Sequence, residues 1–136
     1  YGTLYQGAYK FKKHYYLQVD LKAEGEEFEC AQFLDTLPEV KFWVRNIERR
    51  PSHSFWLPTS SDKFYPDFVC LLSDGRFLVV EYKGEDRWSN DDSKEKRDIG
   101  GLWEARSSGQ CLFVMPKGKR FDEIAAKIKS GHPLKV

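Results

Sequence analysis

The sequence predicts an α/β domain with elements in the order αβββαβα, a mixed four-stranded sheet flanked by helices. Three observations predict it. Residues 64–84, FYPDFVCLLSDGRFLVVEYKG, hold two β-branched and aromatic runs, 64–72 and 77–82, separated by Ser-Asp-Gly, which reads as a hairpin. Both faces of that hairpin are apolar, Val69, Leu71, Phe77 and Val79 on one and Phe68, Cys70, Leu72, Leu78, Val80 and Tyr82 on the other, so both need cover. Helical periodicity occurs once before the hairpin and twice after it, and the last two helices bracket a short apolar run at 110–116.

Taken in order, residues 1–20 interleave Tyr5, Tyr9, Phe11, Tyr15 and Tyr16 with Lys10, Lys12, Lys13 and His14. Two readings fit this segment. It is either an edge strand or extended arm with one face buried, or a basic and aromatic surface that tracks a nucleic-acid backbone, with Lys13 among its contacts. His14 correspondingly meets a phosphate or packs near the surface. Residues 24–37 form a helix with Cys30, Ala31, Phe33, Leu34 and Leu37 on its apolar face and acids in the first turn, where negative charge offsets the helix dipole; Pro38 ends it. Residues 40–50, VKFWVRNIERR, are the first strand, with Phe42 and Val44 on one face and Trp43 and Arg45 on the other. Arg49, Arg50 and His53 then enter a loop that runs to Lys63.

The register of the hairpin decides whether it carries a site. With a two-residue Asp74-Gly75 loop, Asp67 lies opposite Tyr82 and the two carboxylates of Asp67 and Glu81 point to opposite faces. With a three-residue loop, Ser73 and Asp74 in a type I turn and Gly75 left-handed, Leu72 pairs with Arg76 and Asp67 falls opposite Glu81. Glycine accepts positive φ without a Cβ clash, so the second register is expected. It brings Asp67, Glu81 and Lys83 to one face at the open end of the hairpin.

Beyond it, 84–90 turns the chain, and Asn90 or Asp92 caps a helix over 92–107. That helix is expected to turn Ile99, Leu102, Trp103 and Ala105 inward and to expose Lys94, Lys96 and Arg97. Gly100-Gly101 inside it costs about 1 kcal/mol per glycine relative to alanine, which points to close packing on the sheet or approach to a ligand. Residues 110–116 are a strand buried on both faces, and the helical crossover makes it parallel to the 77–82 strand. The segment PKGKR lacks the spacing of a phosphate-binding loop. A last amphipathic helix over 121–130 buries Phe121, Ile124, Ala125 and Ile128, with Gly131 as its cap.

At 136 residues, 40% hydrophobic and 15% aromatic, residues 1–136 are sized for one domain with a real core. The formal net charge of +1 gives no global excess for a polyanion, so nucleic-acid binding has to come from local patches. Cys30, Cys70 and Cys111 are odd in number, widely spaced and set among apolar residues, which suits reduced buried thiols and a cytoplasmic setting. No stretch has the roughly 20 apolar residues of a membrane span. Because the chain begins at Tyr1, an excised piece of a larger protein is expected.

Two carboxylates about 5 Å apart repel by about 3 kcal/mol at an effective dielectric near 20. A divalent cation removes that cost, and an Asp/Glu pair open to water suits Mg²⁺ better than Zn²⁺, which favours His and Cys.

The pattern Pro66-Asp67 followed by Glu81-Tyr82-Lys83 at the end of an apolar strand resembles the PD-(D/E)XK nuclease superfamily. With FYPDF, DGRFLVVEYKG, KRDIGGLW and FVMPK in succession, the chain from about residue 11 to 117 is most similar to the C-terminal endonuclease domain of the restriction subunit of type III restriction enzymes. The resemblance implies a restriction-endonuclease-like core and Mg²⁺-dependent DNA hydrolysis leaving 5′-phosphates, with Mn²⁺ as a substitute. It implies that Asp67, Glu81 and the backbone carbonyl of Tyr82 hold the metal and that Lys83 orients the attacking water. It also implies a first-helix glutamate at the metal, for which Glu27 is the best match and Glu26 and Glu29 stay open. Lys94 and Arg97 are implied as DNA-phosphate contacts, and Arg49 joins them if its loop borders the site. A helicase motor in the parent chain and a methyltransferase subunit are the implied partners. The rival reading is a noncatalytic nucleic-acid-binding or docking module of a helicase that keeps a relic site.

Overall fold

The computed structural model of the chain describes residues 10–15, 25–46, 55, 57–59 and 63–130. Helix α1 (Glu26–Thr36) opens at Gly25, carries Glu26, Glu27 and Glu29 in its first turn, and closes at Leu37 ahead of Pro38. Strand β1 (Val40–Arg45) follows, then a separate two-stranded ladder of β2 (Leu57–Pro58) and β3 (Lys63–Phe64). The hairpin is β4 (Phe68–Leu72) and β5 (Phe77–Val80). Helix α2 (Asp91–Ala105), strand β6 (Cys111–Val114) and helix α3 (Asp122–Ser130) complete the chain.

The main sheet has four strands in the order β1-β4-β5-β6, antiparallel at the first two junctions and parallel between β5 and β6. The architecture is therefore mixed α/β with three helices. Leaving aside the β2–β3 ladder, helices and sheet strands alternate in the expected order. The hairpin adopts the three-residue loop: Phe68 pairs with Val80 and Leu71 with Phe77, Leu72 N–H donates to Arg76 O at 2.8 Å, and Gly75 has φ +92°. Buried Arg76 ties this turn to α3, donating to the Ile128 carbonyl at 3.3 Å.

Both faces of the sheet are covered. Against one lie Cys30, Ala31 and Leu34 of α1 and Ile124 and Ile128 of α3, meeting Trp43, Phe68, Cys70, Leu78 and Val80. On the other, Val79, Phe113 and Met115 meet Leu57, Phe64 and the half-buried Ile99 and Trp103 of α2. Each of these large side chains adds about 1.5–3 kcal/mol when removed from water.

Several boundaries differ from expectation for identifiable reasons. The hairpin strands stop at Phe68 and Val80, short of residues 64 and 82. Pro66 has no N–H to give, Asp67 N–H turns to a side-chain carboxylate of Glu81, and Tyr82 N–H turns to one of Asp67, so the ladder ends where the acids begin. Phe64, expected to open the hairpin strand, belongs instead to the β2–β3 ladder with Leu57, Pro58 and Lys63, which fall in what reads as loop. Strand β1 ends at Arg45, and residues 47–54, with Arg49, Arg50 and His53, lie outside the described residues, as does Gly131.

The inward face of α2 is partly rotated from the expected one: Ile99 and Trp103 pack against the core as expected, but Leu102 and Ala105 do not. Ser93 and Gly100 are buried, whereas Leu102 is 54% exposed and Ala105 faces water. Gly100 sets this phase, because a Cβ there would stand 2.3 Å from the Phe113 ring. Residues 93, 96, 100 and 103 therefore form the stripe against the sheet, and Lys96 is turned inward. The helix is capped by Asn90, whose side chain accepts from Ser93 N–H at 2.8 Å.

Residues 10–15 run beside β1, with Trp43 N–H donating to Lys13 O at 3.0 Å and Tyr15 N–H to Trp43 O at 2.9 Å. Asp35 anchors this arm. Its carboxylate accepts from the N–H groups of Lys12 and Lys13, the shortest at 2.8 Å, and from Trp43 Nε1 at 3.0 Å. Among the described residues no helix is long and apolar enough to cross a membrane.

Candidate active site

The open end of the hairpin forms the floor of a cavity of about 600 Å³. The register places Asp67 and Glu81 across from one another, and their hydrogen bonds lock them together. Asp67 N–H donates to Glu81 Oε1 at 3.0 Å, and Tyr82 N–H donates to Asp67 Oδ2 at 2.9 Å. Lys83 comes to the same cavity from the end of the strand, its Nζ 3.8 Å from Glu81 Oε2.

Arg45 and Lys96 complete the walls, and Asn46 supports them from outside the lining. Arg45, at the end of β1, spans Glu27 Oε1 at 3.0 Å and Asp67 Oδ1 at 3.5 Å, and also donates to Asp67 O at 2.9 Å. Asn46 fixes Pro66, the residue before Asp67, donating from Nδ2 to Pro66 O at 2.9 Å. Lys96 enters from α2, with Nζ 3.8 Å from Glu81 Oε2 and 3.3 Å from Asp92 Oδ2. The lining holds four acids, Glu27, Asp67, Glu81 and Asp86, and four bases, Arg45, Lys83, Arg87 and Lys96, so its formal charges balance.

Burial pushes the Asp67 carboxyl above the usual range, opposed first by Arg45 and then by the hydrogen bonds of Glu81 and Tyr82. Glu81 is pushed well up by burial and then by the charge on Asp67, with Lys83 and Lys96 opposing. The pair therefore resists carrying two negative charges. The Tyr82 phenol is raised by burial and by its hydrogen bond to Glu26 Oε1, which ties α1 to the end of β5.

The site-residue expectations divide. Asp67, Glu81, Tyr82, Lys83 and Glu27 all line one cavity, with Glu27 held by Arg45. Glu26 is engaged with Tyr82, and Glu29 pairs with Lys119 at 3.1 Å on the surface. Lys13 is half-buried and donates from Nζ to Leu37 O at 2.6 Å, capping the end of α1. Lys94 is exposed outside the cavity lining, and Arg97 stacks on Trp88 with its guanidinium carbon 3.6 Å from the ring centre. Arg49 lies outside the described residues. His14 is packed edge-on against Trp43 and accepts from Arg45 N–H at 3.1 Å.

Four charged cavity residues escaped the sequence reading, Arg45, Asp86, Arg87 and Lys96. Arg45 shares the strand face of buried Trp43, and a charge on a buried face is the signal that marks it. Lys96 required the phase of α2, which Gly100 fixes.

Among the described residues no group of three or more His, Cys, Asp or Glu is disposed to hold a metal ion. The Asp67–Glu81 pair nonetheless fits Mg²⁺ chemically: two adjacent hard-oxygen donors, both pushed up by burial, lining one cavity. No family model, no curated protein and no solved structure matches the chain.

Proposed function

We propose that this chain is a metal-dependent nuclease domain that hydrolyses phosphodiester bonds in DNA, with a restriction-endonuclease-like core of the type III kind. The observation that carries the reading is the convergence of Asp67, Glu81 and Lys83 in one cavity at the end of the hairpin. In this reading Asp67 and Glu81 hold Mg²⁺, or Mn²⁺ in its place, with the Tyr82 carbonyl as a further donor and Glu27 acting directly or through water. Bound there, the cation supplies Lewis-acid stabilisation of phosphoryl oxygens and a lowered pKa for a coordinated water.

The rest of the work belongs to the chain. Asp67 is oriented by Arg45 and by Tyr82 N–H, so it meets its ligand without rearranging. Lys83 stands close to Glu81, positioned to orient the attacking water or to offset charge growing on the phosphate. Coupling to a motor in the parent chain and to a methyltransferase subunit, in the cytoplasm, completes the proposal.

Plasmid and linear DNA incubated with the purified chain in Mg²⁺, Mn²⁺ or EDTA, beside Asp67→Ala and Lys83→Ala, test it. Metal-dependent cutting by the parent chain, lost in both variants, is expected. A folded chain that binds Mg²⁺ without cutting points to a need for the motor; one that neither cuts nor binds Mg²⁺ is the docking module with a relic site.

A further inference from the structure

Lys83 and Lys96 come from different elements, a strand end and a helix, yet both ammonium groups stand 3.8 Å from the same atom, Glu81 Oε2. One carboxylate oxygen does not need two lysines for neutrality. Lys96 has a second tether, Asp92, one helical turn before it and with a side chain 67% exposed, so Asp92 is well hydrated and weakly demanding as a partner. The Lys96 ammonium also lies 5.1 Å from the Phe64 ring centre, and its side chain is only 21% exposed. The stem is thus held along the cavity wall with its charge facing the acids.

The balance of four acids and four bases in the lining makes this arrangement responsive. Once a divalent cation occupies Asp67 and Glu81, the cavity carries an excess of two positive charges, and Glu81 no longer needs its lysines. Two ammonium groups that converged on one oxygen then converge on the space beside it. An anionic oxygen is the ligand that such a pair takes.

We propose that Lys96 is a second phosphate-binding lysine of this site, taking a phosphodiester oxygen of nucleic acid together with Lys83; the inference rests on the nuclease reading. Lys96 is placed to hold substrate, and Glu81 is its resting partner. Lys94 and Arg97, the α2 cations expected to contact DNA, do not line the cavity.

The test is equilibrium binding of a fluorescein-labelled DNA duplex, in Ca²⁺ and over a range of salt, by the full chain, Lys96→Ala, Lys96→Arg and Lys129→Ala, with Mn²⁺ titration calorimetry on each. Lys129 is exposed on α3 and controls for net charge. Lys96→Ala should bind DNA about tenfold more weakly, with the slope of log affinity against log salt reduced by about 1. Lys96→Arg should recover most of the affinity, Lys129→Ala should match the parent chain, and all four should bind Mn²⁺ comparably. Loss of Mn²⁺ binding in Lys96→Ala would show that the lysine merely props up Glu81 and would overturn the inference. A parent chain that binds DNA while Lys96→Ala equals it in affinity and slope overturns the inference alone. A parent chain that binds no DNA takes down the nuclease reading and this inference with it.

Discussion

Asp67 and Glu81 are held together by backbone hydrogen bonds although their charges repel: Asp67 N–H donates to Glu81 Oε1 at 3.0 Å, while Asp67 Oδ2 turns back to accept from Tyr82 N–H, next to Glu81, at 2.9 Å. Each carboxylate does the work of a missing ladder carbonyl. The acids therefore serve the fold and the site at once, and the two roles separate under substitution.

Glu81→Gln keeps an oxygen for Asp67 N–H and removes a buried charge, so it should raise the thermal midpoint in EDTA; on the proposed nuclease reading it should also lose Mn²⁺ binding and at least about 100-fold in cleavage rate. Asp67→Ala should lose the same functions and also cost about 1–3 kcal/mol, because Tyr82 N–H and Arg45 lose an acceptor. Urea unfolding and calorimetry on the two variants check the contrast. Equal destabilisation by both would contradict it.

The same pair predicts a pH dependence in the absence of divalent cations. Unfolded, the two carboxyls titrate near 4; folded, both are raised, mainly by burial. Between the unfolded and folded values the native chain holds protons that the unfolded chain has released. The stability they contribute is present below about pH 4 and is lost as pH rises through the folded values, by at most about 1.4 kcal/mol per pH unit for each group. Thermal midpoints in EDTA should fall over this window more steeply for the parent chain than for Glu81→Gln, and Mn²⁺ should restore them. A parent chain no steeper than Glu81→Gln would sink the argument.

What the sequence made legible here is what local chemistry enforces. Gly75 at positive φ fixed the hairpin register, and with it the meeting of Asp67 and Glu81. The buried run at 110–116 needed a parallel place in the sheet, which β6 takes. What stayed hidden depends on contacts between distant segments. Asp35 receives donors from 22 and 23 residues away, a relation with no local periodicity. The β2–β3 ladder is two residues per strand, too short to leave an alternating pattern. Arg45 looked like an ordinary strand residue until Glu27 and Asp67 were brought to either side of it.

The glycine pair in α2 separates packing from propensity. Gly100→Ala drives a methyl into the Phe113 ring, whose nearest atom would be 2.3 Å away, and should destabilise by about 1–3 kcal/mol. Gly101 has open space within 4 Å of a Cβ, so Gly101→Ala should stabilise by up to about 1 kcal/mol through helix propensity alone. Urea midpoints moving in the same direction for both would refute the placement of α2.

Asp35 provides the last test, because it lies outside the candidate active site and bears on the fold alone. Its buried carboxylate gathers the Lys12 and Lys13 N–H groups and the Trp43 indole N–H, joining the arm, α1 and β1 at one point. Asp35→Ala strips an acceptor from all three donors, and charge-assisted hydrogen bonds of this kind make the expected loss about 3 kcal/mol or more. Asp35→Asn keeps one oxygen but introduces an NH₂ facing donors, so it should recover only part of that loss. Neither change touches the cavity lining, so folded Asp35→Asn should bind Mn²⁺ as the parent chain does. Amide hydrogen exchange at Lys12 and Lys13 should rise in both variants, more in Asp35→Ala, before any global unfolding. Unchanged exchange there would mean that the arm is held along β1 by the Lys13–Trp43 and Tyr15–Trp43 bonds without the carboxylate.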